Sequence, residues 1–181
     1  MDSELSDLGV QQSELLASWL AGHQALDASG ALRIGRLYAS PLRRAMQTAE
    51  LLAGALGLTA QVEPALAEAP FRVAGELSAL TDPLDLDSVL AAPSSRYLSY
   101  AQQARAAFAT LVDACRSTDQ PVMAVTHGGL IKTLLGELLR TDAGFFSLYN
   151  ACLSCLSWDD DRWRITGLNL WEHLPAELRT H

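Results

Sequence analysis

The chain has 181 residues, of which 49% are hydrophobic and 19% charged, a composition typical of globular rather than disordered proteins. Its net charge of −8 argues against a protein that binds nucleic acid by general electrostatic attraction. No apolar run is long enough for a membrane span, the acidic N-terminus does not resemble a targeting peptide, and three cysteines do not form a disulfide framework. We therefore expect a cytoplasmic protein without a membrane or nucleic-acid partner.

The first half of the chain predicts helices alternating with short strands. These elements are a helix, a strand, a second helix and a second strand: Asp7–His23, Arg36–Ala39, Pro41–Leu56 and Gln61–Glu63. Ser6 is a favourable N-cap for the first helix. Ser40 and Pro41 are favoured residues at the N-cap and first helical positions, and Gly57 predicts the end of the second helix.

The second half begins with an irregular segment, residues 64–96, in which four prolines interrupt any long element. The elements predicted from there on are a short helix near Leu84–Leu90, a long helix from Ser94 or Ser95 to about Cys115, a strand over Pro121–Thr126, a helix to about Leu139, and a hairpin of Ala151–Trp158 and Trp163–Leu168. The apolar run before His127 predicts a central strand covered on both sides. The alternation indicates one α/β domain over residues 1–181.

Two strand-to-helix junctions carry the residues suited to chemistry. At the first, Arg43 and Arg44 fall in the first turn of a helix, where the dipole disfavours cations unless an anion is bound. A solvated helix start is the equally weighted alternative.

At the second junction, His127 precedes Gly128 and Gly129, which permit close approach of a ligand to the backbone. A structural histidine that caps a buried turn is the alternative. Because ligands of parallel α/β sheets bind at the carboxyl ends of strands, we expect Arg44 and His127 to converge on one anion.

The sequence resembles the histidine phosphatase superfamily, also called the phosphoglycerate mutase-like family, in four segments. Two central motifs of the family match SPLRRAMQTAE at Ser40–Glu50 and VTHGGLIKTLL at Val125–Leu135. The similarity extends to the family's first helix at Glu4–Leu20 and to its C-terminal hairpin at Asn150–Leu174. The resemblance implies a three-layer α/β sandwich, with helices on both faces of a mostly parallel central sheet. It also implies a phosphatase that acts through a phosphohistidine on a small phosphorylated substrate, without a metal or cofactor.

The resemblance assigns roles residue by residue. Arg44 and His127 are implied to be catalytic and to bind the phosphoryl group, together with the backbone N–H of Gly128. Glu68, in the segment Leu-Ala-Glu, is the implied general acid, and Glu63 and Glu76 are alternatives.

The chain departs from the family pattern in two places. It contains no Arg-His-Gly motif, whose histidine is the family's nucleophile and lies on a central strand, and its other histidines do not replace it: His23, His173 and His181. We expect the nucleophile and this strand to lie upstream of the given chain. The alternative is an inactive member of the fold that binds a phosphate ligand or serves as a scaffold. The family's Phe-Gly-x-Trp-Glu-Gly segment is also absent at Phe71–Glu76, so the sequence predicts neither the substrate nor the oligomeric state.

Overall fold

The computed structural model describes residues 2–23, 33–76, 94–118, 120–140, 146–159 and 161–181. The helices and strands are α1 (Asp7–His23), β1 (Arg36–Ala39), α2 (Arg43–Leu56), β2 (Ala60–Val62), α3 (Ser95–Thr118), β3 (Val122–Val125), α4 (Gly128–Leu139), β4 (Leu153–Asp159) and β5 (Arg162–Leu170). The order predicted for these elements is confirmed, with small shifts at their ends. The predicted helix near Leu84–Leu90 lies outside the described residues. Among the described helices, none has the length and apolar character needed to cross a membrane.

Local features explain where α1 begins and where α2 ends. Ser6 caps α1 as predicted, since its Oγ accepts from Gly9 N at 3.2 Å. Gly57 ends α2 with a φ of +67°, a left-handed conformation that glycine adopts without strain. The predicted start of α2 at Ser40 and Pro41 is wrong, because the helix begins at Arg43. Ser40 instead continues the sheet, and its N–H donates to Val125 O at 2.9 Å.

The residues before α1 supply the cap that α2 lacks locally. Leu42 occupies the N-cap position without a side-chain hydrogen bond. Instead, Asp2 Oδ1 accepts from Arg43 N at 2.8 Å. Gln47 Oε1 also accepts from Leu5 N at 2.7 Å, which ties the same segment to the first turns of α2. A carboxylate at this position stabilises the helix start through its free N–H groups and its dipole.

The sheet has the strand order β2-β1-β3, and all its strands are parallel. Its central strand β1 alternates between two cores. Leu37 and Ala39 pack with residues of α1 and α2, whereas Tyr38 packs with residues of α3 and α4. The helices therefore cover both faces of the sheet, as predicted for a three-layer α/β sandwich.

The remaining strands form a separate pair. β4 and β5 are antiparallel partners, as the predicted hairpin requires, and make a two-stranded sheet of their own. Among the described residues, β3 pairs only with β1, and each of its four residues is half-buried. As predicted, both faces of this strand are covered, since Val122 and Ala124 pack against one core and Met123 and Val125 against the other. The predicted central position is not observed among the described residues, where β3 lies at the edge of the sheet. The central strand is β1, and β3 leaves one edge of backbone N–H and C=O groups without a described partner.

Candidate active site

Two neighbouring parallel strands end beside each other and place the two predicted junctions together. Ser40 directly follows β1, and His127 lies two residues beyond the end of β3. Arg44 reaches the same point from the first turn of α2. Its Nη2 lies 3.1 Å from His127 Nδ1, and Ser40 Oγ lies 2.7 Å from His127 Nε2. The structure thus brings Arg44 and His127 into direct contact at the carboxyl ends of the strands.

The surroundings of His127 keep its ring neutral near neutral pH. Burial, followed by the charge of Arg44, lowers the pKa of His127 to about 4. The carboxylates of Glu68 and Asp2 oppose this shift. Because a guanidinium only donates hydrogen bonds, Nδ1 must accept from Arg44. The proton of the neutral ring is then on Nε2, which donates to Ser40 Oγ.

Glu68 lies beside the first turn of α4, at the edge of the same site. Its Oε1 accepts from the Tyr100 hydroxyl at 3.0 Å and from Ala69 N at 3.1 Å, and its Oε2 accepts from Gly129 N at 3.3 Å. Burial and the negative charge of Glu68 raise the pKa of Tyr100, so this phenol remains a donor. A Cβ atom at Gly129 would collide with the Glu68 carboxylate, whereas one at Gly128 would meet open space.

The backbone leading to Glu68 is held from two sides. Gln103 Nε2, on α3, donates to Ala65 O at 3.0 Å and to Ala67 O at 2.9 Å. Thr126 Oγ1, at the end of β3, donates to Leu66 O at 2.8 Å. These bonds place the carboxylate of the following residue against α4 without relying on a regular element.

The two alternative carboxylates have other partners. Glu63 Oε1 accepts from Ala65 N at 2.9 Å and caps the 3₁₀ turn over 64–66. Glu76 forms an ion pair with Arg96 and accepts from Ser94 Oγ, and the hydrogen bond from Arg96 is the main cause of its lowered pKa. Of the three candidate acids, Glu68 is the one that contacts α4.

Arg43, His173 and His181 lie in different contacts. Arg43 is exposed and forms an ion pair with Glu4 at 3.1 Å. The buried His173 has its Nε2 2.9 Å from Ala151 O, and His181 Nδ1 lies 3.2 Å from Leu148 O. Within the described ranges, no group of three or more His, Cys, Asp or Glu side chains is arranged to hold a metal ion.

Three contributions to this site were not predicted from the sequence. The sequence predicts Ser40 as a helix cap, although its place as the first residue of the SPLRRAMQTAE motif is a usable signal for a role near His127. Tyr100 lies in a helix with no local motif, and Asp2 lies in a polar segment. Their partners are 32 and 41 residues away, so only the tertiary structure identifies these contacts.

Comparisons with known proteins are consistent with this geometry. A family model described as histidine phosphatase superfamily (branch 1) matches residues 1–170. A solved mycobacterial glucosyl-3-phosphoglycerate phosphatase, in complex with inorganic phosphate, is 26% identical, with a TM-score of 0.68 over 97% of this chain and 91% of its own. A phosphoserine phosphatase mutant from Entamoeba histolytica, bound to phosphoserine, is 22% identical, with a TM-score of 0.70 over 97% and 88%, and shows the shared fold.

A curated relative gives a shorter match. An uncharacterised phosphatase of Bacillus subtilis, PhoE, is 35% identical over 63 residues, which is 34% of this chain and 33% of the relative. The chain therefore aligns with about a third of the length of that protein.

Proposed function

The chain belongs to the histidine phosphatase superfamily, and on that basis we propose that it forms the main part of a phosphomonoester hydrolase. The family and the phosphatases among its structural neighbours support phosphatase activity. The observation that carries the proposal is the convergence of Arg44, His127 and Glu68 at the carboxyl ends of β1 and β3. A cation, a hydrogen-bonding ring and a carboxyl group meet there beside the start of α4.

The proposed reaction has two steps. A nucleophilic histidine attacks phosphorus, so that an N–P bond forms while the P–O bond to the substrate breaks. Glu68 takes up a proton when the anionic substrate binds beside it, and it donates that proton to the leaving alkoxide. Water then attacks the phosphohistidine, gives a proton to Glu68, and releases inorganic phosphate. Arg44, His127 and the N–H of Gly128 stabilise the charge on the phosphoryl oxygens during both steps.

The nucleophile is proposed to come from a segment outside these 181 residues. The family motif that would contain it is absent from the sequence. The half-buried edge of β3 supports this proposal, since a further strand that pairs there would end beside His127.

We also propose a substrate class, a reaction without metal and a cellular location. Arg44 offers a planar pair of donors suited to phosphate oxygens. Structural neighbours were solved with VO3 and inorganic phosphate, which supports a small substrate that carries a phosphoryl group. We propose that no metal takes part, because Arg44 supplies the positive charge that a metal would otherwise provide. The free thiols of Cys115, Cys152 and Cys155 support a cytoplasmic location.

The decisive experiment uses a longer form of the protein that contains the upstream segment. We expect it to hydrolyse phosphomonoesters in the presence of a chelator. Glu68→Gln should lower the rate on an alkyl phosphate by about 100-fold, because the alkoxide then leaves without a proton. The rate on nitrophenyl phosphate should fall much less, because nitrophenolate needs no proton.

Glu63→Gln is the matched control, since Glu63 caps a 3₁₀ turn and should affect both substrates equally and weakly. An equal loss on both substrates in Glu68→Gln would show that Glu68 is structural. An upstream region without a histidine-bearing strand would favour the inactive phosphate-binding alternative.

A further inference from the structure

His127 is held by the protein at both of its ring nitrogens, and the two partners differ in kind. Arg44 is half-buried and carries a charge that a ligand can attract. Ser40 is fully buried, with an exposed fraction of 0%. Its backbone N–H is fixed to β3 through Val125 O at 2.9 Å, so the sheet determines where its hydroxyl lies.

The hydroxyl of Ser40 is an acceptor in this arrangement. Leu42 N donates to its Oγ at 3.3 Å, and His127 Nε2–H donates to it at 2.7 Å. The reverse assignment, in which the hydroxyl donates to Nε2, would place the ring proton on Nδ1. A proton on Nδ1 would face the donor-only guanidinium of Arg44 at 3.1 Å, which is repulsive.

We propose that Ser40 is a positioning residue for His127. Its hydroxyl accepts from Nε2–H and so fixes the ring, with Nδ1 directed at the position where a bound oxyanion replaces the guanidinium of Arg44. The proposal rests on the proposed function of this site. An anion cannot reach the buried Ser40, but it can attract the half-buried Arg44. When the guanidinium turns to the anion, Nδ1 loses its donor, takes a proton from solvent, and donates to an anion oxygen.

The charged groups that face the ring determine the direction of this proton uptake. Arg44 opposes a proton on the ring, whereas Glu68 and Asp2 favour it. A bound oxyanion adds negative charge near the ring and draws the guanidinium of Arg44 away from Nδ1. Both effects favour protonation of the ring. Sulfate binding should therefore strengthen as the pH falls from about 8 to about 6, over which range sulfate itself remains a dianion.

The first test measures the histidine tautomer in the 181-residue chain by ¹⁵N NMR of labelled imidazole rings, with His127→Gln used to assign the signal. We expect neutral His127 to carry its proton on Nε2, and we expect Nδ1 to become protonated when sulfate is added. A proton on Nδ1 in the free protein would overturn the proposal. Sulfate binding that leaves Nδ1 unprotonated would overturn the part that concerns Arg44.

The second test measures sulfate affinity in variants of Ser40. Ser40→Ala should weaken binding about 10-fold and broaden the His127 signals, because the ring loses its anchor. Ser40→Thr keeps a hydroxyl and should recover part of the affinity. Ser13→Ala is the matched control, since Ser13 is 2% exposed and its hydroxyl bonds to Gly9 O at 2.8 Å and to Thr48 Oγ1 at 3.0 Å rather than to the His127 ring.

These outcomes separate the inference from the proposed function. If sulfate does not bind the wild-type chain, the anion site of the proposed function fails, while the tautomer still decides whether Ser40 anchors the ring. If sulfate binds equally well to wild type and to a folded Ser40→Ala, the inference fails and the anion site stands. Should Ser40→Ala not fold, the tautomer of the wild-type protein remains the deciding measurement.

Discussion

Arg43 and Arg44 are adjacent in the chain but lie in different surroundings, which makes them a matched pair for testing the anion site. Arg44→Ala should weaken vanadate or sulfate binding about 10- to 100-fold, because it removes a charged donor from the site. Arg43→Ala should change the affinity much less, because Arg43 is exposed and pairs with Glu4. Isothermal titration of both variants checks this. Equal losses would show that the arginines act only through net charge.

The lowered pKa of His127 predicts how stability depends on pH. Its pKa is about 4 in the folded chain and near 6.5 when unfolded, so the unfolded state binds the proton first as the pH falls. The free energy of unfolding should therefore decrease from about pH 6.5 to about pH 4, and this contribution should stop changing below that range. Burial lowers the pKa of His173 too, which acts in the same direction.

Thermal melts across this pH range provide the measurement. The decrease should be smaller in His127→Gln, which has no proton to bind, than in wild type. His181→Gln, at the exposed C-terminal residue, serves as the control. An identical acid dependence in wild type and His127→Gln would contradict the prediction.

Individual residues also show how far the sequence alone could lead. Arg44 and His127 were identified because short motifs mark them and because strand ends meet at one edge of a parallel sheet. The contact between Ser40 and His127 spans 87 residues, and no local pattern encodes the direction of a hydroxyl. From the sequence alone, Ser40 is therefore predicted to have the common role of its residue type, a helix cap.

At the level of elements, the beginning of α4 depends on the absence of one side chain. Gly129→Ala should lower the free energy of unfolding by about 1–3 kcal/mol, because the added methyl group meets the Glu68 carboxylate, which Tyr100 and Ala69 hold in place. Gly128→Ala should be neutral or slightly stabilising, since its Cβ meets open space and alanine favours the helix. Chemical denaturation of the two variants checks this, and equal stabilities would show that Glu68 moves freely.

Helix α3 shows why elements are easier to predict than their contacts. The sequence predicts this helix to within three residues of its observed end, Cys115 against Thr118. Its role in the site depends on Tyr100 and Gln103, which reach the segment before Glu68. A helical pattern in the sequence predicts the helix, but it does not predict which loop the polar side chains of that helix will contact.

At the scale of the whole molecule, the proposed mechanism needs two histidines, and His127 is the one that the described residues place beside Arg44. We expect the 181-residue chain to show little or no hydrolysis of nitrophenyl phosphate, because no phosphohistidine forms without the second histidine. A steady-state assay with the chelator EDTA measures this. Robust turnover that is lost in His127→Ala and unaffected by EDTA would show that another residue serves as the nucleophile.

The edge of β3 also has a consequence for behaviour in solution. The sequence Val122–Val125 is apolar, and among the described residues no strand pairs with its outer edge, so this edge can pair with an approaching strand and promote self-association. The net charge of −8 opposes association through mutual repulsion. Salt screens that repulsion but leaves edge pairing intact, so light scattering by the isolated chain should increase with ionic strength. A scattering signal that falls with salt would show that charged contacts, rather than strand pairing, hold the molecules together.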